Sequence, residues 1–154
     1  MTFPAPSSPL DLLHDPAVVM VVDWVESVRQ IEHAEASAIA HWRGFVHSAR
    51  QAIEGRFDGR VVKSLGDGLL IELDDARQAV QAAGELHRLV AAGNTGLPVV
   101  EHIALRVGLH SAEVYADDVD LFGAGVNLAA RIATLAGPGE TVVSETIRDG
   151  LTDG

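Results

Sequence analysis

Two aspartates, each delivered by its own short apolar strand, are the residues of this chain best suited to do chemistry. Asp23 closes the run Val18-Val19-Met20-Val21-Val22. Asp67 sits in Leu65-Gly66-Asp67-Gly68, between Val61-Val62-Lys63 and Leu69-Leu70-Ile71. Carboxylates held at strand ends suit Mg²⁺ or Mn²⁺, which take oxygen ligands and use one or two carboxylates beside substrate phosphates. A pair of such ions can activate an attacking oxygen and stabilise a leaving one. Either aspartate alone reads equally well as an ordinary turn residue. A third segment runs from Asp120-Leu121-Phe122-Gly123 to Val126-Asn127-Leu128-Ala129-Ala130-Arg131. It sets an amide and a guanidinium four residues apart, on one helical face. Arginine's rigid fork suits phosphate, so the three pieces together point to nucleotide chemistry.

The supporting residues have more than one reading. Lys63 either snorkels from a half-buried strand or donates to a base edge or a phosphate. Asp120 either caps the following turn or accepts from an exocyclic amine. Asn127, among small and apolar neighbours, needs a hydrogen-bond partner. Arg131 completes either a phosphate site or an interfacial salt bridge.

These residues must be positioned by regular elements. Residues 17 to 22 read as a strand buried on both faces. Residues 27 to 54 carry a helical pattern that can break near 35 to 38. Residues 60 to 64 and 69 to 73 form a hairpin around Gly66-Asp67-Gly68. Asp74 or Asp75 caps a helix running to about residue 92. Strands are expected at 103 to 109 and 113 to 116. A helix follows at 124 to 135, ended by Gly137-Pro138-Gly139, then a strand at 140 to 144 and a short helix. The order β-α-β-β-α-β followed by a helix and a strand predicts an α+β fold, a ferredoxin-like βαββαβ core with an extension. In that core the end of the first strand lies beside the turn of the hairpin, which would bring Asp23 and Asp67 together.

Composition narrows the classes. The 154 residues suffice for one domain with a core, and 47% hydrophobic content argues against general disorder. With no cysteine, disulfides and thiolate chemistry are excluded. The net charge of −11 opposes general nucleic-acid binding. No apolar stretch reaches the length of a membrane span, so no membrane contact is expected of this segment. No signal peptide pattern opens the chain, and a cytoplasmic location is the expectation.

Several segments, in order, resemble the catalytic domain of class III nucleotide cyclases, the adenylate and guanylate cyclase homology domain. They are Val-Val-Asp23-Trp-Val-Glu-Ser27, Val62-Lys63-Ser64-Leu65-Gly66-Asp67-Gly68, Arg106-Val107-Gly108-Leu109-His110, Asp120-Leu-Phe-Gly123 through Asn127 to Arg131, and Gly139-Glu-Thr-Val-Val-Ser144. The resemblance implies that Asp23 and Asp67 bind two divalent metal ions, Mg²⁺ or Mn²⁺. It implies that Lys63 and Asp120 select adenine, that Asn127 orients the nucleotide near its ribose, and that Arg131 stabilises the reacting phosphate. The implied substrate is ATP, and the product 3′,5′-cyclic AMP with pyrophosphate. The implied assembly is a homodimer with shared active sites: one subunit gives Asp23 and Asp67, the other Lys63, Asp120, Asn127 and Arg131. His110 then has a structural part.

The chain departs from the family pattern at four places. Glu26 stands where glycine is usual, Val28 where threonine is common, Ala112 where glycine follows His110-Ser111, and Ala124 where a polar residue is common. A Leu-Lys-Gly-like segment has no match. The expected organisation is a flexible leader or linker end at residues 1 to 16 and a cyclase homology domain at 17 to 154; either it is truncated at its C-terminus, a piece of a longer protein with room for regulatory domains, or its site is short of one cation. The alternative function is a weak or inactive homology domain that binds nucleotide, dimerises or regulates. A metal-dependent polymerase or cyclic-dinucleotide synthase on a related core is a third class, opposed by the Asn127 to Arg131 helix.

Overall fold

A computed structural model of the chain describes residues 13 to 152. The chain runs β1 (Leu13–Trp24), α1 (Ser27–His33), α2 (Glu35–Arg56), β2 (Arg60–Ser64), β3 (Gly68–Leu73), α3 (Ala76–Asn94), a 3₁₀ turn (Val99–Glu101), β4 (Leu105–Ala116), β5 (Leu121–Phe122), α4 (Ala124–Ala133), β6 (Glu140–Val143) and α5 (Glu145–Thr152). The strands form one sheet in the order β2-β3-β1-β4-β5, with β6 also against β4. Strands β1 to β4 pair antiparallel in the expected ferredoxin-like arrangement, and β6 adds in parallel.

Strands β1 and β4 differ from expectation. Strand β1 begins at Leu13 rather than residue 17, because residues 13 to 17 pair with β4 alone. Proline is tolerated where a strand lacks a partner on one side, so Pro16 does not end it. The rest of the expected leader lies outside the described residues. The long helical pattern does break, at Ala34, whose φ of −155° interrupts the spiral. Strand β4 is continuous over its 12 residues, since Gly108 to Glu113 stay paired with β1 throughout. Asp75 is the cap of α3, accepting from the Gln78 amide at 3.0 Å.

Alternation along β1 divides the core. Val18, Met20, Val22 and Trp24 pack on one face with α2 and α3, through Trp42, Phe45, Ile53, Ala82 and Leu86. Ala17, Val19 and Val21 pack on the other with Val114, Leu121, Ala129 and Ala133 of β4, β5 and α4. Burial on both faces is what a period-two strand apolar at every position requires. Helix α4 lies almost on bare backbone. A Cβ at Gly108 would sit 2.4 Å from the Ala133 amide nitrogen and 2.7 Å from the Ala129 carbonyl oxygen. Gly108→Val is therefore expected to destabilise the fold by about 3 kcal/mol through overpacking against main chain. A circular-dichroism melt checks it; a loss of only a degree or two would mean that α4 lifts off without resistance.

Candidate active site

The β1 and β3 register does what the topology demands. Asp23 stands opposite Gly68 on one side and Arg106 on the other. The Trp24 amide donates to the Asp67 carbonyl at 2.8 Å. The Ser27 hydroxyl, at the start of α1, donates to Asp67 Oδ2 at 3.0 Å. The two carboxylates are close enough to repel. Asp23 is held above the usual carboxylate range, first by burial and then by the Asp67 charge, with Arg106 opposing. Two mutually repelling oxygen donors fit a hard divalent cation. Among the described residues no cluster of three or more His, Asp or Glu side chains is gathered for a metal. Any further ligands would be phosphate, water or backbone oxygens.

Arg106 is the residue that motif reading passed over. Its Nε is buried and has no hydrogen-bond partner among the described residues. A charged residue inside the apolar stretch Leu105 to Leu109 was the available signal, since arginine is rarely buried without a partner. It puts a cation beside the aspartates.

Lys63 and Asp120 meet. Lys63 Nζ lies 2.9 Å from Asp120 Oδ2, and that hydrogen bond is the main reason the Asp120 carboxyl is pulled below its ordinary value. Neither snorkelling nor turn capping alone describes them, although Asp120 Oδ1 also accepts from the Leu121 amide at 2.8 Å. A register shift between Val61 and Lys63 marks a bulge at Val62, the kind of device that re-aims a side chain.

Asn127 and Arg131 share the exposed side of α4, whose buried side is Ala129, Ile132 and Ala133. Their side chains make no hydrogen bond or ion pair among the described residues. Asn127 was expected to need a partner; it is exposed, so solvent can reach its hydrogen-bonding groups. No described hydrogen bond or ion pair joins the Asp23 and Asp67 group to the Lys63, Asp120, Asn127 and Arg131 group.

Three of the four departing residues have local settings, and nothing in the structure explains Ala124. Glu26 adopts φ 55° and ψ 37°, a left-handed conformation that favours glycine, and its carboxylate pairs with Arg29 at the surface. Glu26→Gly is expected to raise stability by about 0.5 kcal/mol, strain relief of about 1 kcal/mol less the extra entropy of an unfolded glycine. An exposed ion pair offsets little of this. A lower urea midpoint would show that the Arg29 pair outweighs the backbone. The Ala112 methyl lies where Gly125 leaves space; a Cβ on Gly125 would be 2.5 Å from it. Val28 is exposed beside an open groove of about 700 Å³ that runs from Trp42 to Asp67. His110 is buried, with Nδ1 2.8 Å from the Ser144 hydroxyl, and burial lowers its pKa. It ties β4 to the junction of β6 and α5.

With this geometry the class is defined. The family described as the adenylate and guanylate cyclase catalytic domain matches residues 17–154, and the chain belongs to it. Among curated relatives, "Putative adenylate cyclase 3" of Rhizobium meliloti (strain 1021) is 38% identical over 144 residues, covering 89% of this chain and 24% of that protein. "Adenylate cyclase" of Streptomyces coelicolor is 32% identical over 126 residues, covering 82% of this chain and 30% of that protein. The chain thus spans a quarter to a third of the length of these relatives. Among solved structures, an adenylate/guanylate cyclase/hydrolase from Silicibacter pomeroyi superposes with TM-score 0.82 at 24% identity, over 93% of this chain and 83% of that one. The adenylyl cyclase CyaB from P. aeruginosa superposes with TM-score 0.80 at 17% identity, with the same coverage. These two likenesses bear on the fold. Among the described residues, no helix is long and apolar enough to cross a membrane.

Proposed function

We propose that this domain is an adenylate cyclase, converting ATP to 3′,5′-cyclic AMP and pyrophosphate at sites shared across a homodimer. The observation that carries the reading is the convergence of Asp23 and Asp67 at the end of β1, on a cyclase catalytic fold. Two divalent cations bound there would supply Lewis-acid activation of the ribose 3′-hydroxyl and charge neutralisation on the triphosphate. Asp23 and Asp67 hold the cations, and Ser27 fixes the orientation of Asp67. Arg106, across from Asp23 in the β1 and β4 pairing, adds a positive charge beside the carboxylates.

The Lys63 and Asp120 pair presents an ammonium donor and a carboxylate acceptor side by side. An adenine edge offers the reverse, a ring-nitrogen acceptor and an exocyclic amine donor, so the pair favours ATP over GTP. Asn127 orients the ribose. Arg131 meets the charge that develops on the α-phosphoryl oxygens as the 3′-oxygen attacks and pyrophosphate leaves. The exposure of Asn127 and Arg131 on α4, with no partner among the described residues, leaves them free to meet Asp23 and Asp67 of a second subunit. We assign residues 17 to 154 to the catalytic domain, a segment of a longer protein with regulatory parts elsewhere. Its ATP substrate favours the cytoplasm.

The test is turnover of ATP and of GTP with Mn²⁺, with products read by mass spectrometry over a range of protein concentrations. Cyclic AMP in excess over cyclic GMP, with specific activity rising as dimers form, supports the reading. A second reading, nucleotide binding without turnover, is favoured by the carboxylate of Glu26 in the segment that follows Asp23. ATP binding with no cyclic product would select it.

A further inference from the structure

We infer that Arg60, acting with Glu72 and Asp117, positions the Lys63 and Asp120 pair and thereby sets how tightly and how selectively the site takes an adenine base. The inference rests on the role proposed above for that pair. Strand β2 is separated from β4 by β3 and β1 in the sheet. Even so, the loop that follows β4 is tied to β2 at two points. Arg60 Nη1 donates to the Asp117 carbonyl at 3.0 Å, and Lys63 Nζ reaches Asp120 at 2.9 Å. Arg60 Nε meanwhile donates to Glu72 Oε1 at 3.1 Å, on the residue directly across the hairpin. One planar fork therefore joins β3 to the loop, a fixed geometry that a lysine could not reproduce.

The bulge at Val62 makes the two ties possible. Residues three apart on a regular strand face opposite sides of a sheet. Here Arg60 pairs with Glu72 and Lys63 with Leu70, two residues apart on β3 and so on one face. The loop is organised to match. Asp117 Oδ1 accepts from the amides of Val119 at 2.9 Å and Asp120 at 2.8 Å. Asp120 Oδ1 is engaged by the Leu121 amide, which leaves Oδ2 for Lys63. Asp120 is thus aimed by main-chain bonds that depend on Asp117, and Arg60 anchors Asp117. A half-exposed lysine and aspartate pair holds little by itself. Arg60 touches no proposed substrate atom; it acts through its neighbours.

Arg60→Met, Arg60→Lys, Asp117→Ala and Asp117→Asn in the full chain test this. The reading expects Arg60→Met to raise the KM for ATP about fivefold, leave kcat at saturation within about twofold, and shrink the preference for ATP over GTP by a similar factor. Arg60→Lys keeps the charge without the fork and recovers less than half of the loss. Asp117→Asn retains the carbonyl acceptor for the two amides and behaves as the parent, whereas Asp117→Ala follows Arg60→Met. Unchanged KM and selectivity in Arg60→Met would overturn the inference, as would an equal fall in kcat for both nucleotides at unchanged KM. A second readout needs no turnover. The Asp120 carboxyl, titrated by ¹³C NMR, should move up toward its ordinary value in Arg60→Met. If the parent chain makes no cyclic nucleotide, the cyclase reading falls, and this titration still decides the positioning: an unmoved Asp120 midpoint sinks it.

Discussion

Asp67→Asn is expected to lower the kcat for cyclic AMP formation about a thousandfold, the rate equivalent of the several kcal/mol that a metal Lewis acid supplies. The substitution is clean. Asparagine keeps an oxygen that accepts from Ser27, and the bond from the Trp24 amide goes to the Asp67 carbonyl, which the change leaves alone. Only the charge is lost. The same change relieves Asp23, whose carboxyl is raised by burial and then by Asp67. A carboxyl raised on folding costs stability as pH climbs through its folded value, so the cost is largest at neutral and alkaline pH. The variant should therefore melt no lower than the parent in the absence of divalent cation, which separates lost chemistry from lost folding. Adding Mn²⁺ should stabilise the parent by about 2.7 kcal/mol at a hundredfold excess over the dissociation constant, and leave the variant nearly unmoved. Activity within tenfold of the parent would end the two-carboxylate reading.

Arg131→Ala should cost about a hundredfold in kcat with KM for ATP changed by no more than about threefold, the pattern of a contact made mainly in the transition state. The side chain is exposed and the buried face of α4 lacks it, so the fold should be untouched. The decisive experiment mixes the two inactive variants. At equal proportions about half of the dimers are mixed, and each of these holds one site with Asp67 and Arg131 both intact, so about a quarter of parental activity should return. If mixing restores nothing, Asp67 and Arg131 do not serve a common site from different subunits.

The fold was legible because its chemistry is local. The apolar run before Asp23, the glycines around Asp67 and the Asp75 cap each correspond to one element, and their order allowed one familiar sheet. Convergence of Asp23 with Asp67 followed from that order alone. Features that depend on strand pairing were not legible. Pro16 looked like a boundary because nothing in a sequence shows which side of a strand lacks a partner. The bulge at Val62 leaves no trace in residue type, and without it Arg60 and Lys63 seem to face apart. Arg106 was hidden by its motif: its neighbours read as a strand, and its position opposite Asp23 belongs to the register. The apolar residue types around Asn127 did not mark a buried setting, since Leu128 and Ala130 are exposed beside it.

The unbroken length of β4 has a mechanical consequence. Arg106 sits near its start, the seat of α4 at Gly108 lies two residues on, and its end at Ala116 leads directly into the Asp117 loop. One stiff rod thus carries Arg106 beside Asp23, the helix of Asn127 and Arg131, and the root of the loop that holds Asp120. These parts cannot drift independently along it. In the homodimer proposed above, control would then work like the meshing of two gears, by turning one whole subunit against the other.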